Sequence, residues 1–224
     1  MSENDDIMTQ ELRRQDGDLF LCHLFVSAQF RPRILTLYKA YAEISSIPFD
    51  VSEPMLGHIR LQWWRDMIED PSKNARDGVP IAQALKAYPQ NPQLMKRLVD
   101  SRDQALSDDL SAEQEAEMAG VALMHLSCQA IEVDCDTVLL DTAGKGFELM
   151  RLSGADAGQV KTAAALLEQA CHRFNTLSRR LRVSLIAVFM PVGLARRQAQ
   201  AFPKRKSLLS YHVSLLKMAV TAKI

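Results

Sequence analysis

From Asp18 the chain turns apolar, and its apolar positions recur at helical spacing, with Leu19, Cys22, His23, Phe25 and Val26 first. Repeats at three and four residues place side chains on one face of a helix. Phe30-Arg31-Pro32 reads as a break, and Pro32 suits the first turn of a second helix, where its missing N–H costs nothing. Ile34, Leu35, Tyr38, Tyr41 and Ala42 give that helix a buried stripe, and Pro48 is expected to end it. Ser52-Glu53-Pro54 opens a third helix, with Leu56, Ile59, Trp63 and Met67 on one stripe widened by Trp64 and Ile68. Asp70-Pro71 stops it, and the stretch up to Pro80 reads as a loop.

The same periodicity predicts helices over Ile81–Tyr88 and Pro92–Leu110, the second with Leu94, Leu98, Ser101 and Ala105 turned inward. Ser111 followed by Gln114 forms a capping box for a helix from Ala112 to about Ala130. Helices near Asp136–Leu152 and Gln159–Arg182 complete the middle of the chain. Pro191 is expected to kink or end the run Ser184–Met190, and Phe202-Pro203 is a second break. Leu208, Leu209, His212, Val213, Leu215, Leu216 and Val220 then predict an amphipathic last helix. No stretch alternates with period two, so the chain reads as all-α. Residues 1–17 form a polar, frayed segment in this reading, and residues 18–224 one helical domain.

Composition agrees with helix: 47% of the 224 residues are hydrophobic, against only 9 Gly and 9 Pro. The scattered cysteines Cys22, Cys128, Cys135 and Cys171 include no CxxC, which fits a reducing compartment. The acidic start MSENDD is neither a secretory signal nor an Arg-rich transit peptide. Val183–Leu194, the longest apolar run, is too short and interrupted to span a bilayer. Charge is unevenly spread. Residues 1–168 carry 16 basic and 27 acidic side chains, whereas residues 169–224 carry 11 basic and none acidic. The basic region either pairs with the acidic body or offers a face to an anionic partner.

The run DLFLCHLF…FRPRILTLYKAYAEI…VSEPMLGHIRLQWWRDMIED resembles the squalene/phytoene synthase family, head-to-head prenyl transferases of the isoprenoid synthase fold. Within it, the chain is most similar to a divergent branch that includes a mitochondrial complex I assembly factor and its bacterial relatives. The resemblance is specific over residues 18–70, weaker through Gly78–Ile131, and thin afterwards, with an echo in FMPVGLARRQ. It implies a helical bundle of the isoprenoid synthase type, shortened at the C-terminal end. Arg60, Trp63, Trp64 and Arg65 fall on the family-signature helix and are expected to be scaffold.

Ionising an allylic diphosphate requires stabilising a departing pyrophosphate, usually by Mg²⁺ held on carboxylates and bridging phosphate oxygens. The active family does this with two DxxxD motifs. At the first, this chain reads SIPFDVSE, with Pro48 and Ser52 aligned to the aspartates; Asp50 and Glu53 remain, with Pro48 expected to break the register that would aim them. At the second, GKGFELMRLSGAD offers Glu148, Arg151 and Asp156 but no pair of aspartates four apart. Asp50, Glu53, Glu148, Arg151 and Asp156 are therefore the diphosphate or metal candidates. No catalytic residue, resident metal or cofactor is expected, and Mg²⁺ enters only with an enzymatic reading.

Other constellations have plain structural explanations. Asp100, Asp103, Asp108 and Asp109 form an acidic cluster read as a solvated helix face rather than a metal site. His125, Cys128 and Cys135 lie within eleven residues, but HxxC and Cx₆C match no common zinc module. Arg60 and Arg65 suit a diphosphate, yet pairing with Asp66, Glu69 or a neighbouring helix is the expected role. Of Trp63 and Trp64, one ring is expected inside and the other at an interface.

Two readings follow. In the first, the chain is a catalytically degenerate binding or assembly factor that acts, by resemblance, in respiratory complex I assembly. It retains a cavity for an apolar, lipid-like ligand, engages a protein partner, and meets an anionic membrane through its basic C-terminal region. In the second it is a Mg-dependent prenyl transferase with rearranged ligands. Nucleic acid is not an expected partner, because the basic region lacks interleaved aromatics and a binding motif. The expected location is a bacterial cytoplasm or an organelle matrix, peripheral to the inner membrane.

Overall fold

The structure, a computed structural model, describes residues 3–74, 79–107, 109–202 and 208–224, and all regular structure among them is helical. The chain divides into two compact units, Met1–Ser111 and Ala112–Ile224. The first holds α1 (Glu3–Gln15), α2 (Gly17–His23), α3 (Arg31–Asp50), α4 (Pro54–Glu69), α5 (Pro71–Asn74), α6 (Pro80–Ala87) and α7 (Pro92–Leu106). The second holds α8 (Ala112–Ala130), α9 (Thr137–Leu152), α10 (Ala157–Thr176), α11 (Arg179–Ala201) and α12 (Leu208–Thr221).

In the first unit α3 is central, packing against α1, α2, α4, α6 and α7. Every residue from Ile34 to Ala42 is buried, so this helix has no solvent face along its middle, as expected of a helix enclosed by others. Pro32 sits in its first turn as the sequence indicates. Pro48 does not end it. The helix runs on through Pro48 to Asp50, two residues further, so the proline forfeits one donor without ending it. The N-terminal segment is also a correction. Residues 3–15 form a helix rather than a frayed tail, since Met8 (1% exposed) and Leu12 (0%) supply an inward face that docks on α3 and α6. Next to it, His23 on α2 is buried with neither ring nitrogen hydrogen-bonded, and burial, helped by the charge of Arg31, lowers its pKa to about 4.

Helix α4 turns a different face inward from the one the pattern predicts. Gly57, Leu61, Trp64 and Met67 are buried, whereas Leu56 and Ile59 are 48% and 59% exposed. Gly57 explains the rotation: a Cβ there would lie 2.5 Å from Leu106 Cδ1, so α7 packs directly on the α4 backbone. Helix α7 itself stops at Leu106, four residues short of expectation, with Asn91 capping its start.

The second unit is built on the α8–α9 crossing. A Cβ on Gly120 would meet the Gly144 carbonyl oxygen at 2.0 Å, and one on Gly144 would meet the Gly120 oxygen at 2.2 Å. Only glycine at both positions lets the two backbones touch. Helix α10 packs on α9, and α11 contacts α8, α9, α10 and α12. Phe174 and Phe189 stack between α10 and α11 with ring centroids 4.7 Å apart. The helix expected over Gln159–Arg182 is two helices, because the chain leaves helical geometry at Leu177 and Ser178 caps α11 by accepting from Leu181 N. Pro191 lies inside α11, which continues to Ala201.

Candidate functional site

The extension of α3 past Pro48 has a direct consequence for the site. Glu43, Ser46, Ile47 and Asp50 fall at i, i+3, i+4 and i+7, one face of the helix, and all line a pocket of about 440 Å³. Ile59, Arg60, Trp63 and Trp64 of α4 form its opposite wall, and Gln15 closes it from the end of α1. Four residues singled out in the sequence, Asp50, Arg60, Trp63 and Trp64, therefore meet in one cavity of the first unit. The expectation that Pro48 would misdirect Asp50 is overturned.

The two tryptophans divide as expected: Trp64 is 3% exposed, Trp63 is 37% exposed, and the rings meet edge to face at 5.3 Å. Behind the α3 wall lies a polar network with no counterpart in the sequence reading. Lys39, 2% exposed, donates to Gln15 Oε1 at 2.9 Å and to Glu43 Oε1, and lies 3.1 Å from Glu11 Oε2. A buried ammonium must be paired to remain charged, and this one is paired three ways. The signal for it was a lysine inside ILTLYKAYAEI with Glu43 four residues on, a strong i,i+4 pair in an otherwise apolar helix.

Arg60 and Arg65 part company. Arg60 lines the pocket with no ion-pair partner among the described residues. Arg65 grips α7, with Nη2 donating to Asp100 Oδ1 and Asp103 Oδ2, each at 2.8 Å. His58 Nδ1 is 2.6 Å from the other Asp103 oxygen. Burial works against ionisation of Asp103, but the hydrogen bonds from His58 and Arg65 outweigh it and hold its carboxyl below the usual range. Asp100 and Asp103 are thus a clamp between α4 and α7 rather than a solvated face; Asp109 is exposed, and Asp108 lies outside the described residues.

The other candidates stand outside the pocket. Glu53 is exposed at the N-cap position of α4 and does not line the pocket. Glu148 is 1% exposed on α9, its Cβ close to Gly120. The Arg151 guanidinium lies 5.5 Å above the Phe147 ring. Asp156 caps α10, accepting from Gly158 N at 2.8 Å and Gln159 N at 3.1 Å.

His125 Nε2 lies 2.7 Å from Asp141 Oδ1. Cys128 and Cys135 flank the turn at Glu132, and their interaction pushes the Cys128 thiol up and holds Cys135 down. No three His, Cys, Asp or Glu side chains among the described residues are grouped to hold a metal ion. In the pocket the carboxylates are Glu43 and Asp50, and Glu43 is already bound to Lys39. That donor set does not fit a Mg²⁺ ion bridging a diphosphate, which takes several carboxylate and phosphate oxygens. It does fit a ligand with an anionic group for Arg60 and an apolar body for Trp63 and Ile59.

Residues 12–122, which include every element of this pocket, match the family model for squalene/phytoene synthase. Over that segment the chain is squalene/phytoene synthase-like. It is 25% identical over 131 residues to "NADH dehydrogenase (ubiquinone) complex I, assembly factor 6" of Homo sapiens, covering 54% of this chain and 39% of the human protein. The Bos taurus protein of that name is 23% identical over 141 residues, covering 59% of this chain and 42% of its own length. The chain thus spans about two-fifths of the length of these relatives. A crystal structure of a dehydrosqualene synthase in complex with ligand superposes with a TM-score of 0.69 over 98% of this chain and 96% of that one, at 10% identity. The fold is therefore the all-α isoprenoid synthase fold, as the helix pattern and resemblance indicated.

Proposed function

We propose that this squalene/phytoene synthase-like chain is a binding or assembly factor that has given up prenyl-transfer chemistry, and that it serves the assembly of respiratory complex I. The observation that carries this reading is the donor set of the α3–α4 pocket: Glu43 is held by Lys39, and Asp50 stands as the one carboxylate left to a ligand. The pocket lies in the segment that matches the squalene/phytoene synthase model, and the chain's similarity to proteins named complex I assembly factor 6 supports both the process and a protein partner. The pocket holds a small amphiphile by its anionic end at Arg60 and by its apolar end against Trp63. The site of action is a bacterial cytoplasm or an organelle matrix. No described helix is long and apolar enough to cross a membrane.

One observation favours the alternative, a prenyl transferase with rearranged ligands: Asp50 and Arg60 do face one cavity on the fold of a dehydrosqualene synthase. A paired experiment separates the two. In a host whose gene for this protein is deleted and whose complex I is lost from native gels, Asp50→Asn should restore the assembled complex as well as the wild type does. The purified wild type should release no diphosphate from farnesyl diphosphate with Mg²⁺. Mg-dependent diphosphate release that Asp50→Asn abolishes would establish the enzyme instead.

A further inference from the structure

Helix α12 is packed on one side and apolar on the other. Leu215, Met218 and Ala222 are buried, and Met218 reaches the backbone of α11 at Gly193. On the opposite side Val213, Leu216 and Val220 are 58%, 58% and 82% exposed, at i, i+3 and i+7, a single aliphatic stripe facing solvent. A helix that has already found its core partner gains nothing from such a stripe unless something else covers it.

Charge says what that is. Residues 169–224 carry eleven basic side chains and no acidic one. Some have work within the fold: Arg196 pairs with Glu168, Arg173 with Asp136, and Arg182 donates to the Ala222 carbonyl oxygen at 2.9 Å. That last bond ties the end of α12 to the first turn of α11, where Arg179, Arg180 and Val183 are exposed. Lys217 is exposed on α12 and Lys223 just beyond its end. No ion pair among the described residues engages these four cations. The surface is thus an aliphatic stripe flanked by uncompensated positive charge.

We propose that α12, with the first turn of α11, is a membrane-contacting surface that lies in the plane of an anionic bilayer. Val213, Leu216 and Val220 enter the acyl boundary, and Lys217, Lys223, Arg179 and Arg180 meet lipid phosphates. This combination of buried aliphatic side chains and cations at the headgroup level is what interfacial helices use. A nucleic acid has nothing to cover the stripe, and the stripe has no aromatic ring on which a base could stack. The proposal is independent of the complex I reading, because it concerns neither the pocket nor the residues lining it.

The test is flotation of the full chain with vesicles of phosphatidylglycerol and phosphatidylcholine, beside vesicles of phosphatidylcholine alone. The wild type should float with the anionic vesicles at least tenfold more tightly, and raising salt should weaken the binding. Leu216→Glu with Val220→Glu should cut binding at least tenfold with an unchanged melting temperature, since both side chains are exposed. Lys217→Glu with Lys223→Glu should do the same, while Val138→Glu, at a half-exposed valine on α9, should leave binding intact. The proposal is overturned by equal affinity for the two vesicle types, by full binding of either double variant, or by a lipid-free dimer that the Leu216 and Val220 changes dissociate.

Discussion

The α3–α4 pocket and the α9–α10 region are the two places to which the sequence resemblance assigns the family's aspartate motifs, and the fold has treated them differently. In the first, the polar residues face open space: Asp50 and Arg60 line a cavity, and Trp63 is left partly exposed beside them. In the second, each candidate is absorbed by local structure. Asp156 closes a helix terminus, Arg151 covers a phenylalanine ring, and Glu148 is buried near the tightest backbone contact of the unit. A side chain that points into a cavity is available to a ligand. One that satisfies backbone N–H groups is available only at the cost of the helix end it caps. The difference shows that a surviving carboxylate is not by itself a surviving site.

The sharpest way to break this comparison is at the α8–α9 crossing. Gly144→Ala would put a methyl group against the Gly120 carbonyl, which cannot move aside as a side chain would, so a loss of about 3 kcal/mol is expected in denaturant unfolding. A loss below about 0.5 kcal/mol would mean that the two helices part easily and that the second unit is not organised by this contact. Less severe is Lys39→Met, which leaves Glu11 and Glu43 without their cation. Those partners are 39% and 27% exposed and partly hydrated, so about 2 kcal/mol is expected rather than the larger cost of a fully buried pair. No loss on chemical unfolding would show the network to be dispensable to the α1–α3 packing. The smallest effect is the most direct test. Asp156→Ala should cost about 1 kcal/mol as a lost N-cap, and Asp50→Ala should leave the melting temperature within error. Equal effects from the two would erase the distinction drawn between them.

Much of the fold was legible in advance because helical periodicity is local. The all-α class, the start of α3 at Pro32, the span of α8 and the division of labour between Trp63 and Trp64 all follow from spacing and from the cost of burying two adjacent indoles. Where reading the sequence went wrong, several faces or ends were locally equivalent. Helix α4 has apolar residues on more than half its circumference, and Gly57, which carries no hydrophobic signal, decided which side α7 covers. Residues 3–15 look polar because only Met8, Leu12 and their neighbours need to be apolar on a helix that covers one edge of a core. Pro48 carries a terminator's signal, yet α3 continues through it to Asp50, losing a single donor.

By itself the sequence determined the helices, the resemblance to squalene/phytoene synthases, and the uneven charge of the two ends of the chain. These depend on neighbours within a few residues or on counting. The tertiary structure decided which polar residues face a cavity: Arg60 toward the pocket but Arg65 onto α7, and Asp50 toward the pocket but Asp156 onto a helix end. It also decided that Lys39 would be buried among Glu11, Gln15 and Glu43. The physical reason is that a charged side chain goes to whichever compensating group the packing brings nearest, and that group can be dozens of residues away along the chain.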